Sequence, residues 1–232
     1  MQTKPIPGTS AAIKKYSKVV LAALGVIVVA VGGNVLLATQ SPGDLSDCDA
    51  RNYAQDEIAA VRSLLRPDEP DSVTSADITI DAPPYAIWDI VEHFETVWPA
   101  SNPEHIQTCV VDSPETVHEN MIYHDVESVG GITATMYAHV YDVIPERQFR
   151  WKAIATYDLG LFALPIRQGG TFRIEPEGDG ATIIHEVWAD FPDTIGGRVA
   201  EWVGRNLISM EVSSIEHNRK ELEYFRSEAE SG

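Results

Sequence analysis

Residues 193–228, DTIGGRVAEWVGRNLISMEVSSIEHNRKELEYFRSE, predict one long helix near the end of the chain. Asp193 or Thr194 can cap its first turn. At about 1.5 Å per residue the helix is about 50 Å long. One apolar stripe comprises Val199, Val203, Leu207 and Met210. The later apolar residues rotate around the axis, so the helix bends or buries a broad face near Ser213 and Ser214. A helix of this length needs a curved sheet to cover it.

The chain before this helix predicts one strand, a short helix and six more strands. They are Asp77–Ile80, the helix Tyr85–Phe94, and strands at Gln107–Val111, Asn120–Val126, Thr133–Val143, Gln148–Tyr157, Gly170–Ile174 and Thr182–Asp190. Trp98-Pro99 and Asn102-Pro103 are expected to break the short helix. Connections this short indicate an antiparallel meander. We therefore predict an α+β fold with a curved antiparallel sheet of six or seven strands around the C-terminal helix.

The N-terminal region predicts a membrane anchor. Val19 to Ala38 reads VVLAALGVIVVAVGGNVLLA, in which Asn34 is the only clearly polar side chain. This run is long enough to cross the hydrocarbon layer as a helix. A cleaved signal peptide is the main alternative, but no convincing small-x-small site follows the run. We expect an uncleaved transmembrane helix.

The charges on the two sides of this helix predict its orientation. Lys14, Lys15 and Lys18 lie just before it, whereas Asp44 and Asp47 lie just after it. Positive charge holds the flanking segment in the cytoplasm. We therefore expect a single-pass protein of the cell membrane, with its N-terminus in the cytoplasm and its C-terminal domain outside.

The chain divides into four predicted segments. They are a short tail at 1–18, the transmembrane anchor at 19–38, a juxtamembrane helix and linker at 39–72, and a ligand-binding domain at 73–229. The juxtamembrane helix lies within Asp49 to Arg66 and is amphipathic. It either packs on the domain or lies at the membrane surface.

The predicted external part is strongly acidic. All 35 acidic residues follow position 43, together with 13 of the 17 basic residues, which gives a net charge of −22. Such a surface repels nucleic-acid phosphates, so nucleic-acid binding is not expected.

The two cysteines are expected to be unpaired thiols, although a disulfide between them is permitted outside the cytoplasm. Cys48 lies outside the predicted domain, whereas Cys109 lies in a predicted strand, and nothing in the sequence fixes the distance between them. Two cysteines without His-rich spacing give no zinc signature, so no metal is predicted. No phosphate loop, nucleophile elbow or dinucleotide fingerprint is present, and no cofactor is predicted.

Five sequence segments resemble the START-related SRPBCC superfamily, which includes polyketide cyclases, dehydrases and birch-pollen-type allergens. They are Ile80 to Pro83 with Trp88, Trp98 to Pro103 (WPASNP), Val140 to Trp151 (VYDVIPERQFRW), Gly180 to Thr182 leading into His185-Glu186, and the end of the long helix at Leu222 to Phe225. The resemblance covers about residues 75–229 and implies a helix-grip fold with a cavity between the sheet and the last helix. Members share no universal catalytic residue, so the resemblance supports a fold more than a reaction.

The predicted cavity wall follows from strand alternation and from this resemblance. On the strand after Pro145, the aromatic face is expected to look inward. On the last strand, comparison with the family turns Glu186 inward, as a weak candidate for a general acid or a polar ligand anchor. The alternative is a Glu at the rim or paired with an arginine. The predicted lining residues are Trp88, Phe149, Trp151, Tyr157, Phe172, Ile184, Glu186, Trp188, Leu207 and Met210. His124, His139 and His185 are expected at strand surfaces.

Three functions are compatible with these patterns. The first is a membrane-anchored domain that binds a hydrophobic or lipid-like small molecule. The second is an enzyme of the cyclase or dehydratase kind that works without a metal. The third is a structural domain with a filled interior and a protein partner. Two or more convergent ionisable groups in the pocket would favour the enzyme, and a packed interior would favour the third function.

Overall fold

The computed structural model describes residues 48, 52–112, 116–129, 132–158, 163–208 and 210–231, without the side chains of residues 203, 207 and 208. The helices are α1 (Gln55–Ser63), α2 (Pro84–Val91), α3 (Phe94–Ser101), α4 (Ile195–Val203) and α5 (Met210–Ser231). The strands are β1 (Ser72–Ile80), β2 (His105–Val110), β3 (Ile122–Val129), β4 (Ile132–Ile144), β5 (Gln148–Asp158), β6 (Ala163–Glu177) and β7 (Gly180–Asp190).

The seven strands form one antiparallel sheet in the order β1-β7-β6-β5-β4-β3-β2. Strands β2 to β7 follow one another as a meander, and β1 pairs with β7 at the far edge. A turn at Gly178, where φ is +62°, joins β6 to β7. The predicted antiparallel sheet with a C-terminal helix is confirmed.

The C-terminal helix is not continuous. The Thr194 hydroxyl caps α4 by accepting a hydrogen bond from the backbone N–H of Gly197 at 3.0 Å. A π-helical turn at Gly204–Ile208 follows α4 and comes before α5. The helix therefore changes its winding before the expected bend near Ser213, and this change rotates the apolar face.

The single short helix that the sequence predicts is two helices. Its expected end, Phe94, is the first residue of α3, and Pro99 lies inside α3 instead of ending it. Pro99 removes one backbone N–H from the hydrogen bonds of α3, and the helix ends two residues later at Ser101. Both helices pack against α5.

The main core lies between the sheet and the helices α2, α3 and α5. Its largest side chains are aromatic, and Phe149 and Phe172 stack with ring centroids 5.3 Å apart. Phe225 of α5 meets Phe172 edge-on at 5.8 Å. These contacts fix α5 over the inner face of the sheet.

Helix α1 packs on the other, outer face of the sheet. Ile58 and Val61 are buried there against Ile122 and Tyr137. The Tyr137 hydroxyl also accepts a hydrogen bond from the backbone N–H of Ala54 at 2.9 Å. Of the two placements that the sequence left open for this helix, the structure shows packing on the domain.

The expectation of two unpaired thiols is wrong. Cys48 and Cys109 form a disulfide with Cα atoms 5.5 Å apart. The sequence could not give this distance, because α1 must first dock on the outer face to bring Cys48 close to β2.

The predicted anchor at 19–38 lies outside the described residues. Among the helices of the described part, none is both long and apolar enough to cross a bilayer. The membrane anchor therefore stays a prediction.

Candidate functional site

A cavity of about 100 Å³ lies between the inner face of the sheet and α5. Most of its wall is apolar. The buried apolar and aromatic side chains in the wall are Phe94, Trp98, Tyr123, Met136, Phe149 and Trp151. The half-buried lining residues Tyr157, Val187, Ala189, Met210 and Ser214 mark the part of the wall nearest to solvent.

Strand alternation and one glycine create the space. Phe149, Trp151 and Tyr157 share the inward face of β5. The Trp151 indole lies over Gly170 of β6, where an added Cβ would be only 2.7 Å from the indole nitrogen. A side chain at position 170 would push this indole into the cavity.

The acidic and basic side chains in the wall are three histidines and three acids, which we call the histidine–carboxylate cluster. Its members are His105, Asp125, Glu127, His185, His217 and Glu221. All six are at least nine-tenths buried. They come from β2, β3, β7 and α5, so only the tertiary fold brings them together.

Glu221 is the centre of this cluster. One oxygen, Oε1, accepts hydrogen bonds from Nε2 of both His105 and His217, each at 2.8 Å. The other oxygen, Oε2, accepts from Nδ1 of His185 at 2.9 Å. Three imidazole rings therefore hold one buried carboxylate.

The outer nitrogens of two rings contact further carboxylates. His105 Nδ1 donates to Asp125 Oδ2 at 3.1 Å, and Thr108 Oγ1 donates to the other Asp125 oxygen at 2.6 Å. His217 Nδ1 donates to Glu104 Oε2 at 2.9 Å. The His105 ring is thus fixed between Asp125 and Glu221, and the His217 ring between Glu104 and Glu221.

These contacts shift the pKa values in opposite directions. Burial alone would raise the pKa of Glu221, but the facing His217 and the hydrogen bonds from the three rings hold it well below its ordinary value. Burial lowers the pKa of His217, but Glu221 and Glu104 outweigh burial and raise it to about 9. His105 behaves in the same way, since Asp125 and Glu221 raise its pKa well above 6.5 against the effect of burial. The hydrogen bond from His217 lowers the pKa of Glu104 to about 2.

Glu127 differs from the other acids of the cluster. Burial and the nearby Asp125 raise its pKa to about 6, and the positive charges of His217 and His105 only partly oppose this. No hydrogen bond to its carboxylate is made from within the described part of the chain. Its carboxylate is therefore available to something in the cavity.

Four of the predicted lining residues lie at the cavity: Phe149, Trp151, Tyr157 and Met210. Trp88 and Phe172 belong to the core beside it. The Trp88 indole N–H donates to Glu92 at 2.8 Å, and its ring meets Phe149 edge-on. The side chain of Leu207 is outside what the structure describes.

The orientation expected for β7 needs correction. His185, Val187 and Ala189 face the cavity, so Ile184, Glu186 and Trp188 lie on the outer face. Alternation separates the two faces of a strand but does not say which one meets the helix. Each face of β7 carries an ionisable residue, so composition did not decide either.

The contacts of the outer face explain why it resembled an inner face. Glu186 forms an ion pair with Arg66 at 3.2 Å, which is the alternative that the sequence left open. Trp188 is almost fully buried and lies over Gly169, where an added Cβ would be 2.6 Å from the indole. Glu186 is therefore not a candidate for catalysis in this cavity.

The histidines also divide between the two faces. His124 and His139 lie on the outer face, where His124 meets the ring of Tyr137 and His139 contacts Asn120. His185 does not lie at a surface as expected, because it is buried against Glu221. The cavity therefore gains a histidine that the sequence had placed outside.

Sequence reasoning missed His105, Asp125, Glu127, His217 and Glu221. Two signals could have found most of them. Tyr123, Asp125 and Glu127 alternate along β3, so the acids share a face with a buried aromatic ring. Met210, Ser214, His217 and Glu221 recur at helical spacing on α5 and continue its apolar stripe with polar residues.

No family model and no curated protein matches this chain. Several solved structures share its fold. TTHA0849 from Thermus thermophilus is 16% identical and superposes on 69% of this chain and 98% of its own, with a TM-score of 0.53. The hypothetical protein jhp0584 from Helicobacter pylori is 9% identical and covers 80% of this chain and 99% of its own, with a TM-score of 0.50. A START superfamily protein from Mycobacterium smegmatis is 15% identical over 68% of this chain and 97% of its own, with a TM-score of 0.48. The antiparallel sheet, the cavity beside it and the C-terminal helix together give this chain the helix-grip fold that the sequence resemblance implies.

Proposed function

We propose that this domain binds a small, largely apolar molecule whose polar group points towards the histidine–carboxylate cluster. The observation that carries the proposal is a cavity with aromatic walls and one buried ionisable region. Apolar walls supply affinity, and a few fixed polar groups supply orientation. The same cavity argues against a purely structural domain with a filled interior.

The size of the cavity favours a compact ligand. Its volume of about 100 Å³ is below the range of roughly 300–1,000 Å³ that is typical of ligand pockets. A long-chain lipid requires the cavity to widen, whereas a single-ring molecule requires much less. The proposed ligand is therefore hydrophobic but short.

The protein is further proposed to act outside the cytoplasm, held by the predicted anchor. Support comes from the disulfide between Cys48 and Cys109, because such bonds persist mainly in oxidising compartments. The disulfide also ties the segment that follows the predicted anchor to the sheet.

Native mass spectrometry of the full chain tests the proposed binding. Ala189 lines the cavity on β7, so Ala189→Phe places a ring inside it. Ile184→Phe is the matched control, because this side chain lies on the outer face of the same strand. We expect a molecule bound one to one in the wild type and in the control, but absent from Ala189→Phe.

The matched variants separate cavity binding from detergent or lipid held by an apolar anchor. Detergent or lipid held by the anchor should be present in equal amounts in the wild type, the control and Ala189→Phe. If Ala189→Phe retains every bound molecule and also binds apolar fluorescent probes like the wild type, the proposal is wrong.

An enzyme is the second candidate: six ionisable side chains converge at one cavity, but five of them are paired with one another. Glu127→Gln keeps the shape of the side chain and removes its charge. If the domain is an enzyme, this variant accumulates a molecule chemically different from the one that the wild type retains. Identical molecules in both proteins support binding alone.

A further inference from the structure

Three buried side chains from three elements bring metal-ligand atoms together. His105 comes from β2, Glu127 from β3 and His217 from α5. One donor atom of each lies within 4.8 Å of the other two. All three residues line the cavity and are at most 8% exposed.

The two histidines are oriented as metal-binding histidines are. A ligating imidazole usually donates its second N–H to a carboxylate, which fixes the tautomer and the direction of the ring. Nδ1 of His105 donates to Asp125 at 3.1 Å, and Nδ1 of His217 donates to Glu104 at 2.9 Å. Thr108 in turn holds Asp125 at 2.6 Å.

The remaining nitrogens converge. Nε2 of His105 and Nε2 of His217 each lie 2.8 Å from the same atom, Oε1 of Glu221. Ligands at 2.0–2.2 Å around a tetrahedral ion are about 3.4 Å from one another. Small side-chain rotations around Glu221 would therefore accommodate an ion between these groups.

The charge balance of the region is also compatible with a metal ion. Asp125, Glu127 and Glu221 are buried acids, and a buried charge without compensation is costly. Among the described residues, the ion pairs bring one Lys or Arg to this region, Lys220, which pairs with Glu104 at the rim. A divalent ion bound by two neutral imidazoles supplies the same two positive charges as two imidazolium rings.

We propose that His105, His217 and Glu127 bind a divalent transition-metal ion such as Zn²⁺, with Glu221 as a fourth ligand. Histidine nitrogens and carboxylate oxygens are both zinc ligands in proteins, and four of them complete a tetrahedral site. The site borders the apolar cavity, so the ion would lie next to the space for a ligand. The metal site does not depend on the identity of that ligand.

Zinc binding to the full chain tests the proposal. The protein is prepared without a histidine tag and stripped with a chelator. Zn²⁺ is then titrated by calorimetry, and bound metal is counted by elemental analysis after dialysis. We expect one ion per chain, and we expect Glu127→Gln and His217→Gln each to weaken binding at least tenfold.

The chain offers matched controls on the outer face of the sheet. His139→Gln and Glu186→Gln remove the same residue types away from the cavity and should leave zinc binding unchanged. Co²⁺ provides a spectroscopic readout, because visible bands of a low-coordinate ion should appear in the wild type and be lost in Glu127→Gln.

Two results would overturn the proposal. One is a wild-type chain that binds less than one ion at millimolar Zn²⁺. The other is binding that Glu127→Gln leaves unchanged. If His217→Gln fails to fold, Glu127→Gln still provides the test. His217 contacts two acids, whereas Glu127 accepts no hydrogen bond within the described residues. A wild-type chain that binds no metal but still binds apolar probes would refute the metal site and leave the proposed ligand binding in place.

Discussion

Loss of the disulfide between Cys48 and Cys109 should destabilise the domain by an amount that follows from its position. The bond joins residues 61 apart in sequence. Loop-closure entropy for a loop of this size predicts a stabilisation of about 4 kcal/mol, and measured values are typically about 2–4 kcal/mol. For a domain of this size the expected fall in Tm is on the order of 10 °C.

The assay is thermal unfolding followed by circular dichroism, with and without a reductant. Wild-type protein should unfold about 10 °C lower in the reductant. A double Cys48→Ser, Cys109→Ser variant is the control, since it should unfold at the lower temperature in both conditions. A thiol-alkylating reagent should add no mass to the oxidised wild type under denaturing conditions.

A stabilising disulfide is refuted if the reductant leaves the wild-type Tm unchanged, or if two thiols are alkylated before reduction. The first result would mean that residual structure already restricts the reduced unfolded chain, so that the disulfide adds no stability. The second would mean that the cysteines are free, as the sequence led us to expect.

Three further substitutions test the placement of single residues. Glu186→Gln should leave the affinity for an apolar fluorescent probe unchanged, because the carboxylate lies on the outer face. Ile58→Ala should lower the free energy of unfolding in urea by about 2–5 kcal/mol, because it removes a buried side chain that packs between α1 and the sheet. Tyr157→Phe should lower it by about 1–3 kcal/mol, because the Tyr157 hydroxyl donates to the buried Gln168 at 3.0 Å.

Each of these has a clear contrary result. Weaker probe binding in Glu186→Gln would mean that Glu186 belongs to the ligand-binding site after all. Leu65→Ala is the control for Ile58→Ala because Leu65 is 79% exposed, and equal effects would mean that α1 is not docked. An unchanged stability for Tyr157→Phe would mean that water replaces the hydroxyl at Gln168.

The cavity wall was predictable where one face of a strand is aromatic throughout. On β5 the aromatic residues alternate with Arg150 and Lys152, so the inward face was clear. On β7 both faces carry an ionisable residue and apolar residues. Trp188 is almost fully buried on the outer face, and Arg66 from the chain before β1 pairs with Glu186 on the same face, so this face has the composition of a core.

The order and type of the main elements came from the sequence, because hydrophobic periodicity and turn residues act over a few neighbouring positions. The antiparallel sheet, the C-terminal helix and the aromatic face of β5 are of this kind. The disulfide and the histidine–carboxylate cluster are not. Cys48 meets Cys109 across 61 positions, and His105 meets Glu221 across 116. Contacts at such separations depend on strand register and on how α1 and α5 dock, which tertiary packing alone decides.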